Sequence, residues 1–235
     1  MSFAFRAALI AFAVAAFACA ASAQVVPQPK MPDQTKPIYV AMLYEKFKHP
    51  GGDSPDFEEW VRQSPDYDNA QLFERPALVL KNAKDLKATY DLLTPTEPVI
   101  VMVNAHISSY STTAKGFLVE NFKNRTFFEY TYLGKRYAFV PNGLDRYQWL
   151  KALPEEVPEI MRESDNGRSA NLVVSLIPIQ ADPKPMKLNG KDYLLMMGDI
   201  SKIEMWSKDG AHVVWDDKMN APSSVRSKIL DLFQK

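Results

Sequence analysis

"EPVIVMVNAHISSYSTT" (Glu97–Thr113) is where the chain changes character. Its density of β-branched residues predicts a long strand from Val99 to about Ser109. In an extended strand alternate side chains share a face. Val99, Val101, Val103, Ala105 and Ile107 then line one side and form a core face. Asn104, His106, Ser108 and Tyr110 line the other, a polar face that is either open surface or the wall of a cleft.

Upstream of this stretch the patterns are helical. Ile38–Lys48, "IYVAMLYEKFK", is apolar or aromatic at 38, 39, 42, 43 and 47, which suits one face of a short helix, and "HPGGDSP" stops it. Ser-Pro-Asp then occurs twice, at Ser54 and at Ser64. Ser accepts hydrogen bonds at an N-cap, Pro at the first helical position needs no N–H, and Asp complements the helix dipole. The repeat is therefore read as two successive helix starts, the first presenting Phe57, Trp60 and Val61 as an apolar stripe. Pro76 opens a further amphipathic helix, "ALVLKNAKDLKATYDLL", that ends before Thr94-Pro95.

Downstream the patterns are mostly strands. "GFLVENF" and "TFFEYTYLGKRYAFVPNG" read as strands, with a tight turn at Leu133-Gly134-Lys135-Arg136. "LDRYQWLKAL" fits neither period, and "PEEVPEIMRESDNG" reads as a short helix. "ANLVVSLIPIQ" is a strand. Asn189-Gly190 and Asp209-Gly210 mark hairpins, and Gly198 suggests a bulge. Pro222 to Gln234 resembles a final helix capped near Ser223. The fold class expected is α+β: N-terminal helices, then a curved, mainly antiparallel multi-stranded sheet, then a C-terminal helix. Strands such as "FFEYTY" and "LVVSLIPI" are apolar on both faces, so the sheet is expected to be covered on both sides or curved into a half-barrel.

The first 23 residues carry Arg6, an apolar run from Ala7 to Ala20 and Ala21-Ser22-Ala23, the three parts of a secretory signal peptide. The run is short for a bilayer span, which takes about 20 residues. Cleavage after Ala23 is expected. The rival readings are an uncleaved anchor and a lipoprotein cleaved before Cys19. Cys19 is the one cysteine of the chain, so a mature protein starting at Gln24 carries no thiol, disulfide or thiolate metal site. Residues 24–37 read as a Pro-rich flexible linker, and residues 38–235 as a single α+β globular domain. The expected location is periplasmic or secreted, in a bacterium, with no stable membrane span after cleavage.

Charge is balanced at 28 basic against 28 acidic residues. A nucleic-acid binder needs a basic field to neutralise phosphates, and the sequence offers no basic block. Nucleotide, zinc-protease, serine-hydrolase and EF-hand motifs are absent, and no cofactor is expected. The three histidines, His49, His106 and His212, fall without metal-ligand spacing, so no metal site is expected. Candidate binding residues are Asn104, His106, Ser108 and Tyr110. The aromatic row Phe128, Tyr130 and Tyr132, with Phe127 on the opposite face, is read chiefly as core, though such rows also bind sugars, peptides or lipids. The functional reading is a non-enzymatic binding or interaction protein, its partner a periplasmic small molecule or envelope protein. The alternative is a hydrolase using His106 with a nearby serine or water, oriented by Asp199, Asp216 or Asp217.

Overall fold

Helix α1 (Pro37–Lys48) buries Tyr39, Val40, Ala41, Met42, Leu43 and Tyr44 completely. Consecutive residues cover the whole circumference of a helix, so α1 needs neighbours on every side. The expectation of one apolar face is therefore corrected: α1 is a central helix. The computed structural model that shows this describes residues 33–48, 51–52, 54–164, 168–207 and 210–216. The expected signal peptide and its cleavage site, most of the linker, Asp209, Asp217 and the expected C-terminal helix lie outside the described residues.

Three helices follow: α2 (Phe57–Arg62), α3 (Pro65–Asn69) and α4 (Arg75–Leu92). Ser64 caps α3, its Oγ accepting from the Tyr67 N–H at 3.4 Å with Pro65 at the first position. The first Ser-Pro-Asp works differently. Asp56, not Ser54, is the cap of α2, its Oδ1 accepting from the Glu59 N–H at 3.0 Å. Helix α2 therefore starts two residues later than Pro55 suggested, and Phe57, Trp60 and Val61 still point inward and are buried. Phe57 packs edge-on against both Trp60 and Tyr90, which fastens α2 to α4.

The chain continues through β1 (Val99–His106), β2 (Gly116–Leu118), β3 (Phe128–Tyr132), β4 (Lys135–Asn142), β5 (Trp149–Lys151), α5 (Val157–Glu163), β6 (Ser169–Ala181), β7 (Met186–Leu188), β8 (Lys191–Ser207) and β9 (Gly210–Asp216). The ambiguous "LDRYQWLKAL" becomes a 3-10 helix at Leu144–Tyr147 followed by β5. Strand β1 ends at His106, short of Ser109. The main sheet runs in the order β1-β6-β8-β4-β3. Its pairings are antiparallel except β4 with β8, which is parallel. Strand β8 is the spine. Strand β6 and then β7 follow one edge of it, while β4 and β9 share the other edge end to end.

Two turns close as the sequence indicated. Asn189 and Gly190 have φ of 50° and 77°, and Leu133 and Gly134 have 46° and 71°. Positive φ at both central residues is the turn whose twist matches a hairpin. Leu133 has no glycine-like freedom to adopt this conformation, but its side chain packs against the core. Gly198 is not itself the bulge. The register slips between Pro178 and Gln180 on the facing strand β6. Gly198 is required for closeness: a Cβ there would lie 2.7 Å from the Phe139 ring.

The sheet is nearly closed. Its first and last strands along the path, β1 and β3, line one common cavity. Helix α1 sits inside this curve and contacts β3, β6 and β8. The Tyr44 hydroxyl donates to the Asp182 carbonyl at 2.6 Å, tying α1 to the bend between β6 and β7. Lys46 extends past the Tyr90 ring, 4.9 Å from its centroid, and donates to the Leu93 carbonyl. A second, smaller apolar cluster of Ala138, Val140, Leu188, Tyr193, Leu195 and Met197 lies on the opposite face of β4 and β8. Both faces of those strands are thus covered, and so are those of β6 over residues 172–176, as its apolar run implied, whereas β3 is covered on one face only, with Glu129 and Thr131 exposed on the other.

Candidate functional site

The alternation read into β1 is present. Val99, Val101 and Ala105 are buried and Val103 half-buried, whereas Met102, Asn104 and His106 are exposed. Asn104 donates to Asn171 across the strand pair at 3.1 Å. Beyond His106 the strand ends and the row breaks up. The Ser108 hydroxyl donates to the Ser109 carbonyl and accepts from the Leu118 N–H, so it holds a loop in place. Tyr110 turns toward the core and tilts against Phe117, ring centroids 5.4 Å apart. Asn104 and His106 therefore share an open face, and Ser108 and Tyr110 are engaged elsewhere.

The register also places the acids named as partners for His106. His106 faces Ser169 on β6, while Asp199 faces Ile177 on the same strand. Eight residues of strand separate them, about 26 Å at the usual rise. Asp199 is instead bound by the Asn142 amide at 2.8 Å. Asp216 pairs with Lys202, which itself lies opposite Ser175, again far along β6. Among the described residues no group of three or more His, Cys, Asp or Glu side chains could hold a metal ion.

Polar groups and aromatic rings converge somewhere else. Where α1 ends, α2 and the β3–β4 hairpin enclose a cleft of ≈280 Å³. Its rings are Trp60, Tyr132 and Tyr137, and its charged rim carries Glu45, Asp56 and Glu59 beside Lys48 and Lys135. Trp60 meets Tyr132 edge-on at 5.2 Å, and Tyr137 meets Tyr44 at 5.6 Å, so the aromatic floor is braced from behind. Burial pushes the Tyr132 hydroxyl up to about 12 and the Tyr137 hydroxyl up as well, so both are neutral donors at ordinary pH. The Glu45 side chain is only 13% exposed, with Lys48 Nζ 3.9 Å away. Asp56 and Glu59 are partly committed to α2, through the Asp56 cap and the Gln63 amide. Glu45 is thus the acid of the rim whose carboxylate is held against the aromatic floor.

Sequence reading reached only parts of this cleft. It named Trp60 and Tyr132 as apolar residues of their elements, and it had no way to bring them together. Glu45 and Lys48 fell between and after the apolar positions of the Ile38–Lys48 helix, and Lys135 in a turn, so none of them stood out.

The seam between β1 and β3 is a second cavity, ≈460 Å³, lined by Thr35, Ile100, Val101, Met102, Phe127, Phe128, Glu129 and Tyr130. It is the place where the curved sheet fails to close. No helix among the described residues is long and apolar enough to cross a membrane. Compared with protein-family models, with curated proteins and with solved structures, the chain finds no match.

Proposed function

We propose that this chain is an exported, non-enzymatic binding protein of the bacterial periplasm or exterior, and that its ligand is a small polar molecule with a flat apolar face. One observation carries the reading: in the cleft beside α2, aromatic rings form the floor and charges of both signs form the rim. Rings supply apolar contact and low ordering cost, while a few fixed polar groups set orientation. The cleft is small for a drug-sized ligand, which limits the occupant to something like a monosaccharide or an amino-acid-sized molecule. Among the described residues the lining of this cleft has no histidine or serine that would act as base or nucleophile. Export rests on the sequence pattern from Arg6 to Ala23.

Native mass spectrometry of the protein taken from its own periplasm tests both parts. The expected result is an intact mass starting at Gln24 and a bound small molecule that dissociates in the gas phase. Adding that molecule back should change the emission of Trp60, and Glu45→Gln or Lys135→Ala should weaken it at least tenfold. A protein that emerges without any bound mass, or a ligand whose affinity is unchanged in both variants, would overturn the cleft assignment. A diacylglyceryl-modified mass would overturn cleavage after Ala23.

A further inference from the structure

The cleft beside α2 carries charge that its own residues leave partly unmatched. Its lining holds three carboxylates, Glu45, Asp56 and Glu59, and two ammonium groups, Lys48 and Lys135. Glu59 is engaged: the Gln63 amide donates to it at 2.7 Å, and Arg62 lies 4.0 Å away. Asp56 gives Oδ1 to the Glu59 N–H at the start of α2, and its Oδ2 accepts no hydrogen bond among the described residues. The Glu45 carboxylate accepts none there either. Its ion partner is Lys48 Nζ at 3.9 Å, beyond hydrogen-bond reach. Burial first, and then the nearby Glu45 charge, keep the Tyr137 hydroxyl protonated, so this carboxylate stands close to the floor of the cleft. On the opposite sign, Lys135 is exposed and forms no ion pair among the described residues. Its neighbour Arg136 is the cation that approaches Glu129, at 3.9 Å.

An occupant that covers the aromatic floor also takes water from this rim. Charges that lose water without gaining a partner oppose binding. A neutral occupant leaves both signs uncompensated. A cation answers Glu45 and Asp56 and strands Lys135, and an anion does the reverse. We propose, resting on the reading of this cleft as the binding site, that its ligand is a zwitterion of amino-acid size with an apolar side chain. The ammonium group lies against Glu45 and Asp56, and the carboxylate against Lys135. Tyr132 and Leu133 are half-buried and have surface left to give, so the apolar side chain packs on them. Trp60, edge-on to Tyr132 and itself buried, holds that ring in place. The ring face also favours the cationic end of the ligand over the anionic one. A monosaccharide brings hydroxyls but no charge, so it does not replace the water that Lys135 and Glu45 give up.

Calorimetric titration of the mature protein with four probes tests the charge pattern. Phenylalanine carries both charges, phenethylamine only the ammonium, 3-phenylpropionate only the carboxylate, and glucose neither. Phenylalanine should bind, and each single-charge probe should bind more weakly by about tenfold or more, the loss expected for one charged hydrogen bond. Glucose should be weaker still. Glu45→Gln should shrink the preference for phenylalanine over 3-phenylpropionate and leave its preference over phenethylamine. Lys135→Met should do the opposite. These ratios are read within one variant, so a partly destabilised variant still reports them, and if neither variant folds the four probes on the unaltered protein carry the test. A single-charge or neutral probe that binds as tightly as phenylalanine overturns the proposal, and so does absence of binding by all four. Native mass spectrometry then separates the two readings. A bound neutral molecule whose affinity falls in Glu45→Gln keeps the cleft as the site and rejects the zwitterion, whereas no bound mass rejects both.

Discussion

Asp56 and Ser64 accept hydrogen bonds from the first turns of their helices, whereas Ser54 is exposed and holds no turn of α2. Asp56→Ala and Ser64→Ala should each cost roughly 0.5–2 kcal/mol. Ser54→Ala should stay within about 0.5 kcal/mol, because exposed positions without such a role usually do. Urea denaturation midpoints of the three variants check this ordering. A large loss from Ser54→Ala would return the cap to the position the repeat suggested. The same logic applies to His106, which is exposed at the end of β1. His106→Ala should leave the midpoint unchanged within about 0.5 kcal/mol. A loss above about 1 kcal/mol would mean that the imidazole holds a buried partner.

At the scale of elements, α1 and α4 are opposites although both carry apolar side chains among charged ones. Leu43 on α1 is fully buried, and Leu80 on α4 is 67% exposed. Leu43→Ala removes packed methyl groups and leaves a cavity, so it should cost about 2–5 kcal/mol, while Leu80→Ala should be nearly silent. Equal losses in a denaturant titration would refute the central placement of α1. In the sheet, Gly198 lies between Pro141 of β4 and Pro178 of β6. A methyl group there would meet the Phe139 ring and, at 2.9 Å, the Ile177 carbonyl. Gly198→Ala should therefore cost about 1–3 kcal/mol through overpacking. A stabilising effect would show that β8 has room to spare at this point.

For the whole molecule, a helix enclosed by a curved sheet brings many tyrosines into one interior. Burial pushes the hydroxyls of Tyr44 and Tyr132 up to about 12, and those of Tyr39, Tyr130 and Tyr137 up too. In the unfolded chain each titrates near 10. Below that pH both states hold the proton, and the stability is fully present. Between 10 and 12 the unfolded chain ionises first, so stability falls as pH rises through the folded-state values. Unfolding free energy should be flat from neutral pH to about 9 and then decline steeply. The rise of tyrosinate absorbance should coincide with loss of structure. Early ionisation in a still-folded protein would place these hydroxyls in contact with water.

Local chemistry was legible in the sequence. The Val99–His106 alternation, the Asn-Gly and Leu-Gly turns, the Ser64 cap and the short helix near Val157 all follow from forces acting within a few residues. What the sequence could not supply was whatever depends on distant neighbours. The apolar positions of Ile38–Lys48 look like one stripe until a curved sheet surrounds them. Pro55 marks a helix start in isolation, but the cap lies where Phe57 and Trp60 meet Tyr90 and Tyr132. Asn104, His106, Ser108 and Tyr110 share a face only while the strand lasts, and pairing with β6 ends it at His106. The cleft is assembled from α1, α2 and the β3–β4 hairpin, and the seam from the two ends of a sheet path. Burial and strand order are sums over contacts far apart in the chain, so only the tertiary structure decided them.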